Sequence, residues 1–376
     1  MLADRIRMIS MGKPKVLIDR STPTVVINQP YSTEGNGGRK LVRLDNGWLN
    51  SVLKQPTGSL IYRSQDNASS WTMIRNIGYN ANDLSVVSNN NNIYILYTYS
   101  TGVFMRVFNE DGDLIGSTTT VDTGQSALGN CSLDINKEGT ELHACWASKN
   151  STYPNSFNIR YCKGVINNND TVTWGSVEQI TTINYSTQIG YQNPTIVLSN
   201  NMPIILSQYS TNNSVSYSIP ISYYNGSKWE TINNRVTGLN NYVQSNPSAC
   251  VDKDGVIHVT WESKEGEFYY IYYSKSVNNG LTWSAKSTVY NTTSLLSVPS
   301  ISVNYKNEVF VTMQWTIGSL VYKTTDGTSW VRVGNLISGA SRPSTLDSNL
   351  LEFEFPLCIF QHNLDKVVKF IGKWYE

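Results

Sequence analysis

The chain has 376 residues, a formal charge of +1 and 15% charged residues, against roughly 25% in an average soluble domain. The near-neutral balance argues against a nucleic-acid or anionic-membrane partner, and no apolar run approaches the ~20 residues of a membrane span. Its five cysteines lack close pairs, which favours small buried thiols over a disulfide framework. We expect neither a metal nor a cofactor.

The chain opens with a basic segment and two predicted strands, Lys15–Asp19 and Thr24–Asn28. Residues 1–15 carry charges without a continuous apolar core, so no secretory signal is expected. Nothing further along the chain shows a sustained helical period. The sequence therefore predicts an all-β protein.

One unit then recurs: an aromatic strand, a turn and a tryptophan. Its clearest copy is Tyr269–Trp283, in which aromatic and β-branched residues suit a half-buried strand. A Ser or Asn side chain can close the turn, glycine supplies a positive φ, and tryptophan anchors the returning chain. Three good copies, here called the tryptophan turns, span residues 64–71, 276–283 and 324–330. Their key residues are Ser64, Asp66, Trp71, Ser276, Asn278, Gly280, Trp283, Thr324, Asp326 and Trp330.

The repeat spacing of about 50 residues matches one four-stranded propeller blade. Six full units are predicted at about 39–75, 81–121, 128–182, 192–236, 245–290 and 297–338. A seventh, 342–374, is incomplete, and residues 15–28 can complete it. Such pairing closes the ring and removes two exposed sheet edges. We therefore predict that residues 1–376 form one propeller of seven blades, with six as the alternative.

The Ser-x-Asp-x-Gly-x-Thr-Trp pattern of the tryptophan turns resembles the Asp-boxes, or BNR repeats, of sialidase-like β-propellers. That resemblance implies the fold and a structural role for the turns. It implies less about function, because Asp-boxes occur in sialidases, other glycosidases, lectin-like propellers and non-enzymatic repeat proteins. Most sialidases of the family have six blades, so a seventh would count against close kinship.

Blade geometry directs the search for a site. If strand A of each blade starts at the top face, the tryptophan turns lie at the bottom, and pockets are expected among the loops at the top. Arg39 and Arg342 interrupt the series Asn130, Asn193 and Asn246 at the strand entries. Two guanidiniums there could grip a carboxylate. The predicted loops after strand B add Tyr153, Glu262 and Glu265 as ligand-binding candidates.

Comparison with the sialidase pattern favours binding over catalysis. The first-blade arginine corresponds to Arg39 and a late one to Arg342, but a middle arginine is missing. The loop Lys54–Gly58, where the acid/base Asp belongs, contains no carboxylate. Without that acid, a glycosidic oxygen lacks its proton donor. Glu262 would be the catalytic candidate if the protein were an enzyme.

Two functions follow from these residues. The first is recognition of a cell-surface glycan, in which Tyr and Trp faces stack on sugar C–H groups and amides match hydroxyls. The second is an exo-glycosidase of sialidase type. A propeller without a secretory signal also fits a phage tail component that leaves the cell by lysis. The N-terminal arm would then attach it to a larger assembly. This last inference is by association.

Overall fold

A computed structural model describes residues 23–28, 33, 38–54, 58–186, 189–212, 215–233, 235–237, 242–333, 337–346, 357–363 and 367–371. The regular structure within these ranges is β-strand and includes no helix. Seven antiparallel sheets with four strand positions each form a β-propeller. The prediction of an all-β fold with seven blades is confirmed, and the six-blade alternative is wrong.

The strands of each blade, lettered A to D from the channel outward, follow chain order. Blade 1 contains Leu41–Arg43, Leu49–Leu53, Leu60–Ser64 and Thr72–Asn76; blade 2 contains Asp83–Asn89, Asn92–Tyr99, Gly102–Phe108 and Leu114–Asp122. Blade 3 contains Gln125–Ile135, Glu141–Asn150, Asn158–Ile166 and Val172–Trp174 with Glu178–Gln179. Blade 4 contains Gly190–Ser199, Met202–Asn212, Val215–Ser218 with Ile221–Tyr224, and Trp229–Ile232.

The remaining blades repeat this order. Blade 5 contains Val243–Val251, Ile257–Glu265, Phe268–Ser276 and Ser287–Thr292; blade 6 contains Leu296–Val303, Val309–Trp315, Gly318–Thr324 and Val331–Arg332 with Ile337–Ser338. Blade 7 contains Ala340–Thr345, Cys358–His362, Val367–Ile371 and, as its outermost strand, Thr24–Ile27. In blades 3, 4 and 6 two short segments share one strand position.

The hydrophobic core lies between blades. Each of seven apolar clusters joins the facing sides of two neighbouring blades, and the five cysteines are free and buried within the ring. Middle strands are covered on both faces, as in Asn92–Tyr99, which is buried almost throughout, whereas the outer strand Thr72–Asn76 is largely exposed. The long apolar runs of the sequence are therefore middle strands.

Ring closure uses the two ends of the chain, as predicted. Thr24 pairs with Phe370 and Val25 with Lys369 in an antiparallel ladder. Val26 and Ile27 pack into the cluster shared by blades 7 and 1. Residues 15–22 of the predicted closing segment lie outside the described residues.

A ring of small hydroxyl residues joins the strands A around the channel. Strand A is the inner edge of its blade, so its channel-side N–H groups have no ladder partner. A buried side-chain oxygen of one blade accepts the N–H of the next strand A at 3.0–3.3 Å. Thr195 holds the same register position in blade 4. The six residues of this hydroxyl ring are Ser85, Ser132, Thr195, Ser248, Ser300 and Ser344.

The tryptophan turns are closed by side-chain hydrogen bonds. In the first, Ala68 N–H donates to Ser64 Oγ at 2.8 Å, and Ser70 N–H donates to Asp66 Oδ1 at 2.9 Å. The turn of blade 5 has the same pattern with an amide, because Thr282 N–H donates to Asn278 Oδ1 at 2.9 Å. These turns lie on the face of the A–B turns.

One contact between blades shows that placement. Asn279 Oδ1, in the tryptophan turn of blade 5, accepts Asn200 Nδ2 from the A–B turn of blade 4 at 3.0 Å. Ser199 Oγ donates to the same oxygen at 2.8 Å. The tryptophan turns therefore belong to one polar face, away from the links that enter each strand A.

The first prediction concerns closure. Deleting residues 1–28 should lower the melting temperature of the whole ring, because it removes the outer strand of blade 7 and exposes the edge of Val367–Ile371. Within that strand, Val26→Ala should lower the free energy of unfolding by about 2 kcal/mol. The matched control Val25→Ala, at a side chain 48% exposed, should change it by less than about 0.5 kcal/mol. A truncated protein that melts with the full chain would contradict closure.

The second prediction concerns the acid sensitivity of the turns. Burial acts to raise the pKa of Asp66, but hydrogen bonds from Ser70, Ser64 and Ser69 outweigh it and lower the pKa to about 2. Ionised Asp66 therefore stabilises the fold above about pH 4, the range of an unfolded Asp, and that contribution disappears as the pH falls towards 2. Asp66→Asn should remove this dependence, and Asn278→Asp should add one.

Urea titrations at pH 2, 3, 4 and 6 measure the unfolding free energy of the wild type and of both variants. The difference in unfolding free energy between wild type and Asp66→Asn should be largest at pH 6 and smallest at pH 2. A difference that stays constant over this range would refute the assignment.

Candidate functional site

The entry face is the face opposite the tryptophan turns, where links enter each strand A and strands B turn into strands C. Several strands A begin there with a β-bulge, at which the pairing register shifts. The bulge residue precedes a proline and has a φ of 48–51° in four blades. These four residues are Asn193, Asn246, Val298 and Arg342. The bulges turn backbone N–H groups towards the preceding blade.

A long side chain of strand B in the preceding blade accepts each of three bulge N–H groups. Asn246 N–H donates to Gln208 Oε1 at 3.1 Å. Val298 N–H donates to Glu262 Oε2 at 2.9 Å, and Arg342 N–H donates to Gln314 Oε1 at 3.1 Å. We call this contact the interblade clasp. It fixes each bulge against its neighbour.

Glu262 is therefore a member of a repeated set. The sequence comparison treated it as specific to blade 5 and placed it in a loop. The structure places it inside strand B, opposite Ser245. Its Oε1 also accepts Ser245 Oγ at 2.9 Å and Asn246 Nδ2 at 2.8 Å. Burial raises the pKa of Glu262, although these donors and the backbone N–H of Val298 act to lower it.

Arg39 occupies the hydroxyl-ring position of blade 1. This position is two residues after the strand-entry position of Asn193, Asn246 and Arg342, to which the sequence analysis assigned it. Its carbonyl oxygen accepts Val86 N–H at 3.0 Å, as the ring hydroxyls do for their neighbours. Its guanidinium donates to Ala249 O at 3.0 Å and Thr345 Oγ1 at 3.0 Å. Because these partners belong to blades 5 and 7, the side chain crosses the central channel and ties opposite parts of the ring together.

The other predicted ligand residues are dispersed around the entry face. Arg342 is the bulge residue of blade 7, and Tyr153 lies in the B–C turn of blade 3, held by Asn150. Glu265 ends strand B of blade 5, where its Oε1 accepts Tyr272 Oη at 2.8 Å and Lys286 Nζ at 3.2 Å. The structure brings no pair of these side chains into direct contact within its described residues.

A buried ion pair joins blades 1 and 2 and was missed by the sequence reasoning. Lys40 Nζ lies 3.2 Å from Asp83 Oδ1, with both side chains almost fully buried. Asp83 Oδ2 also accepts Cys131 N–H at 3.1 Å and Asn130 Nδ2 at 3.2 Å. In blade 2, Asp83 thus occupies the position that Asn130, Asn193 and Asn246 occupy in blades 3, 4 and 5. A single sequence offers no signal that a lysine at this position is enclosed.

An open pocket of about 280 Å³ lies between blades 4 and 5 on the entry face. It is lined by amides, hydroxyls and two apolar side chains: Ile189, Gln192, Asn193, Gln208, Ser210, Val243, Ser245 and Asn246. Its wall amides hold one another, because Asn193 Nδ2 donates to Asn246 Oδ1 at 2.6 Å and to Gln208 Oε1 at 3.1 Å. The pocket is therefore polar and preorganised.

Exposed aromatic rings occur on segments that adjoin the lining residues in sequence. Tyr242, 45% exposed, directly precedes Val243, and Tyr185, 59% exposed, precedes Ile189 by four residues. In blade 5, Phe268 begins a ladder on strand C that continues through Tyr270 and Tyr272, whose rings stack at 5.2 Å. Such rings offer flat apolar faces.

Comparisons with known proteins show the fold and assign no family. No family model matches the chain, and no curated protein matches it. The structure of a PL25 ulvan lyase matches with a TM-score of 0.65 and 11% identity over 96% of each chain. The same lyase bound to -[GlcA(1-4)Rha3S]- matches at 0.64, also with 11% identity over 96% of each chain.

Two further structures extend this set. The polysaccharide lyase Uly1 matches with a TM-score of 0.56 and 10% identity, over 94% of this chain and 99% of that one. The NanB sialidase from Streptococcus pneumoniae matches at 0.47 with 13% identity, over 98% of this chain and 72% of that one. At these identities the similarity concerns the propeller fold alone. No helix that could cross a membrane occurs in the described part of the chain.

The third prediction tests the clasp. Glu262→Ala should lower the free energy of unfolding by roughly 2–3 kcal/mol, because it leaves the N–H of Val298 and two side-chain donors without their charged acceptor. Gln314→Ala, which removes a neutral acceptor from the equivalent position, should cost about 1 kcal/mol. Equal and negligible losses in urea titrations of both variants would show that the clasp does not stabilise the ring.

Proposed function

We propose that this protein recognises carbohydrate through the pocket between blades 4 and 5. The observation that carries the proposal is the composition of the wall: amide and hydroxyl groups, preorganised by mutual hydrogen bonds, with exposed tyrosines on the adjoining segments. Amides and hydroxyls can match sugar hydroxyls as donors and acceptors, and tyrosine rings can stack on sugar C–H faces. The polysaccharide-lyase names of two fold neighbours are consistent with it.

Binding without catalysis is the form of this function that the side chains favour. Both carboxylate oxygens of Glu262 accept hydrogen bonds from the protein. A general acid must direct a proton at the glycosidic oxygen instead. The guanidinium of Arg39 is engaged across the channel. An acidic-sugar anchor built from Arg39 and Arg342 would need that guanidinium to leave its partners.

The alternative function is an exo-glycosidase of sialidase type that uses Glu262. The half-buried position of this carboxyl beside the pocket, and the raised pKa that its desolvation gives it, are the observations in its favour. Glu262→Gln separates the two functions. It should leave glycan binding unchanged in a lectin and abolish turnover in a hydrolase. We expect no release of sialic acid from an aryl sialoside by the wild-type protein.

We also infer that the tryptophan turns are Asp-boxes with a structural role. Their Ser–Asp–backbone hydrogen bonds support this inference. We further infer that residues 1–376 form one domain and that the protein serves as a phage tail component, attached through its N-terminal arm. The amide-rich, weakly charged composition supports this setting by association only. Mass spectrometry of purified virions from the source strain would test it.

The fourth prediction tests the proposed pocket. A glycan array should yield at least one bound saccharide, and Gln192→Ala should weaken that binding roughly ten-fold by removing one hydrogen-bonding group, about 1.4 kcal/mol. Val243→Trp should abolish binding because the larger ring fills the pocket. Asn46→Ala, which removes an exposed amide from the opposite face, is the matched control and should bind like the wild type.

Circular dichroism melting should first show that all three variants are folded. An array without any bound saccharide would overturn carbohydrate recognition. A bound saccharide whose affinity is unchanged in Val243→Trp would place recognition elsewhere on the surface.

A further inference from the structure

The pocket between blades 4 and 5 is built from an uncharged part of the chain. None of its lining side chains carries a charge. Residues 179–227 contain no Asp, Glu, Lys, Arg or His, and neither do residues 236–251. These two segments supply every lining residue of the pocket. The lining side chains therefore offer hydrogen bonds and no cation, and Lys264, the sheet partner of Val243, has its ammonium over the Tyr269 ring.

The nearest ionisable group in the hydrogen-bond network is a carboxyl that receives three donors on its two oxygens, an arrangement that favours its ionised form although burial raises its pKa. Glu262 Oε1 accepts from Ser245 Oγ and from Asn246 Nδ2, and both donors belong to lining residues. A carboxylate or sulfate entering the pocket would therefore face a carboxylate one side chain behind the wall. Like charges in a partly desolvated site repel, and salt screens a half-buried group less than an exposed one.

The wall amides also present a fixed pattern. Asn246 uses its oxygen for Asn193 and its amino group for Glu262, so both ends of this amide are oriented. Gln208 Oε1 accepts two internal donors, which leaves the Nε2 amino group as the other hydrogen-bonding group of that side chain. The amino group of Gln208 can donate to a sugar hydroxyl, which can act as acceptor or donor. Prior orientation lowers the entropy cost of binding.

From these observations we propose that the pocket binds an uncharged saccharide and discriminates against uronic acids, sialic acids and sulfated sugars. The proposal rests on the proposed carbohydrate recognition and adds the class of ligand. The fold neighbour described above was solved with a polymer of glucuronic acid and sulfated rhamnose. This chain would thus share the fold of that lyase while selecting an uncharged ligand instead of an anionic one.

The test compares saccharides that differ only in charge. Each neutral oligosaccharide retained on an array is paired with its counterpart oxidised at C6 to the uronic acid. Affinities are then measured by isothermal titration calorimetry at neutral pH. We expect the acidic member of each pair to bind at least ten-fold more weakly. An acidic counterpart that binds as tightly as the neutral sugar would overturn the proposal.

Two variants connect the discrimination to this pocket. Gln192→Lys places a cation in the wall and should narrow or reverse the preference for the neutral sugar. Glu262→Gln removes the charge behind the wall but keeps only one acceptor oxygen for Ser245, Asn246 and Val298. Its readout is therefore the ratio of acidic-sugar to neutral-sugar affinity, which should rise towards one. Discrimination that is unchanged in both variants would contradict the electrostatic argument.

The binding measurements distinguish failure of the uncharged-ligand proposal from failure of carbohydrate recognition itself. Tight binding of acidic saccharides alone would overturn the uncharged-ligand proposal and leave carbohydrate recognition intact. Absence of binding to every neutral and acidic saccharide would remove carbohydrate recognition and this proposal together.

Discussion

The inner edge of strand A is the constraint on which the rest of this propeller depends. Seven such edges surround the channel, and each carries backbone N–H groups that no further strand can pair. The hydroxyl ring gives several of them a partner in the preceding blade, through side chains small enough to fit where the strands converge. Blade 1 uses the carbonyl of Arg39 for the same purpose. The long side chain of Arg39 then crosses the channel and binds blades 5 and 7.

The interblade clasp extends this solution to the entry face. A bulge turns the N–H of Asn246, Val298 or Arg342 towards the preceding blade, where a Gln or Glu of strand B accepts it. The positive φ of Val298 is unfavourable for a β-branched residue, so the clasp also holds a conformation that the residue itself disfavours. The candidate pocket lies above one such clasp. Gln208 and Asn246 therefore both line the pocket and hold blades 4 and 5 together.

The repeats allowed the sequence to predict the propeller, its seven blades and closure by the N-terminal strand, because turns and apolar strands are local patterns. Predicting the candidate site required the blades to be aligned residue by residue. Using the strand-B tryptophans as alignment markers gave the wrong register. Trp261 precedes Glu262, whereas Trp315 follows Gln314; yet Glu262 and Gln314 hold equivalent registers. Arg39 lacked the X-Pro step that marks other strand entries. The burial of Lys40 depends on a partner 43 residues away, which no local pattern reveals.

We propose above all that ligand recognition lies between blades 4 and 5, at an uncharged wall whose neighbouring segments carry exposed tyrosines. A crystal structure of the protein with a neutral oligosaccharide tests this claim most directly. We predict electron density for a sugar ring in hydrogen-bond contact with Gln192 and the Asn193–Asn246 pair. Density confined to the central channel mouth, or to the surface around Arg342, would contradict the account.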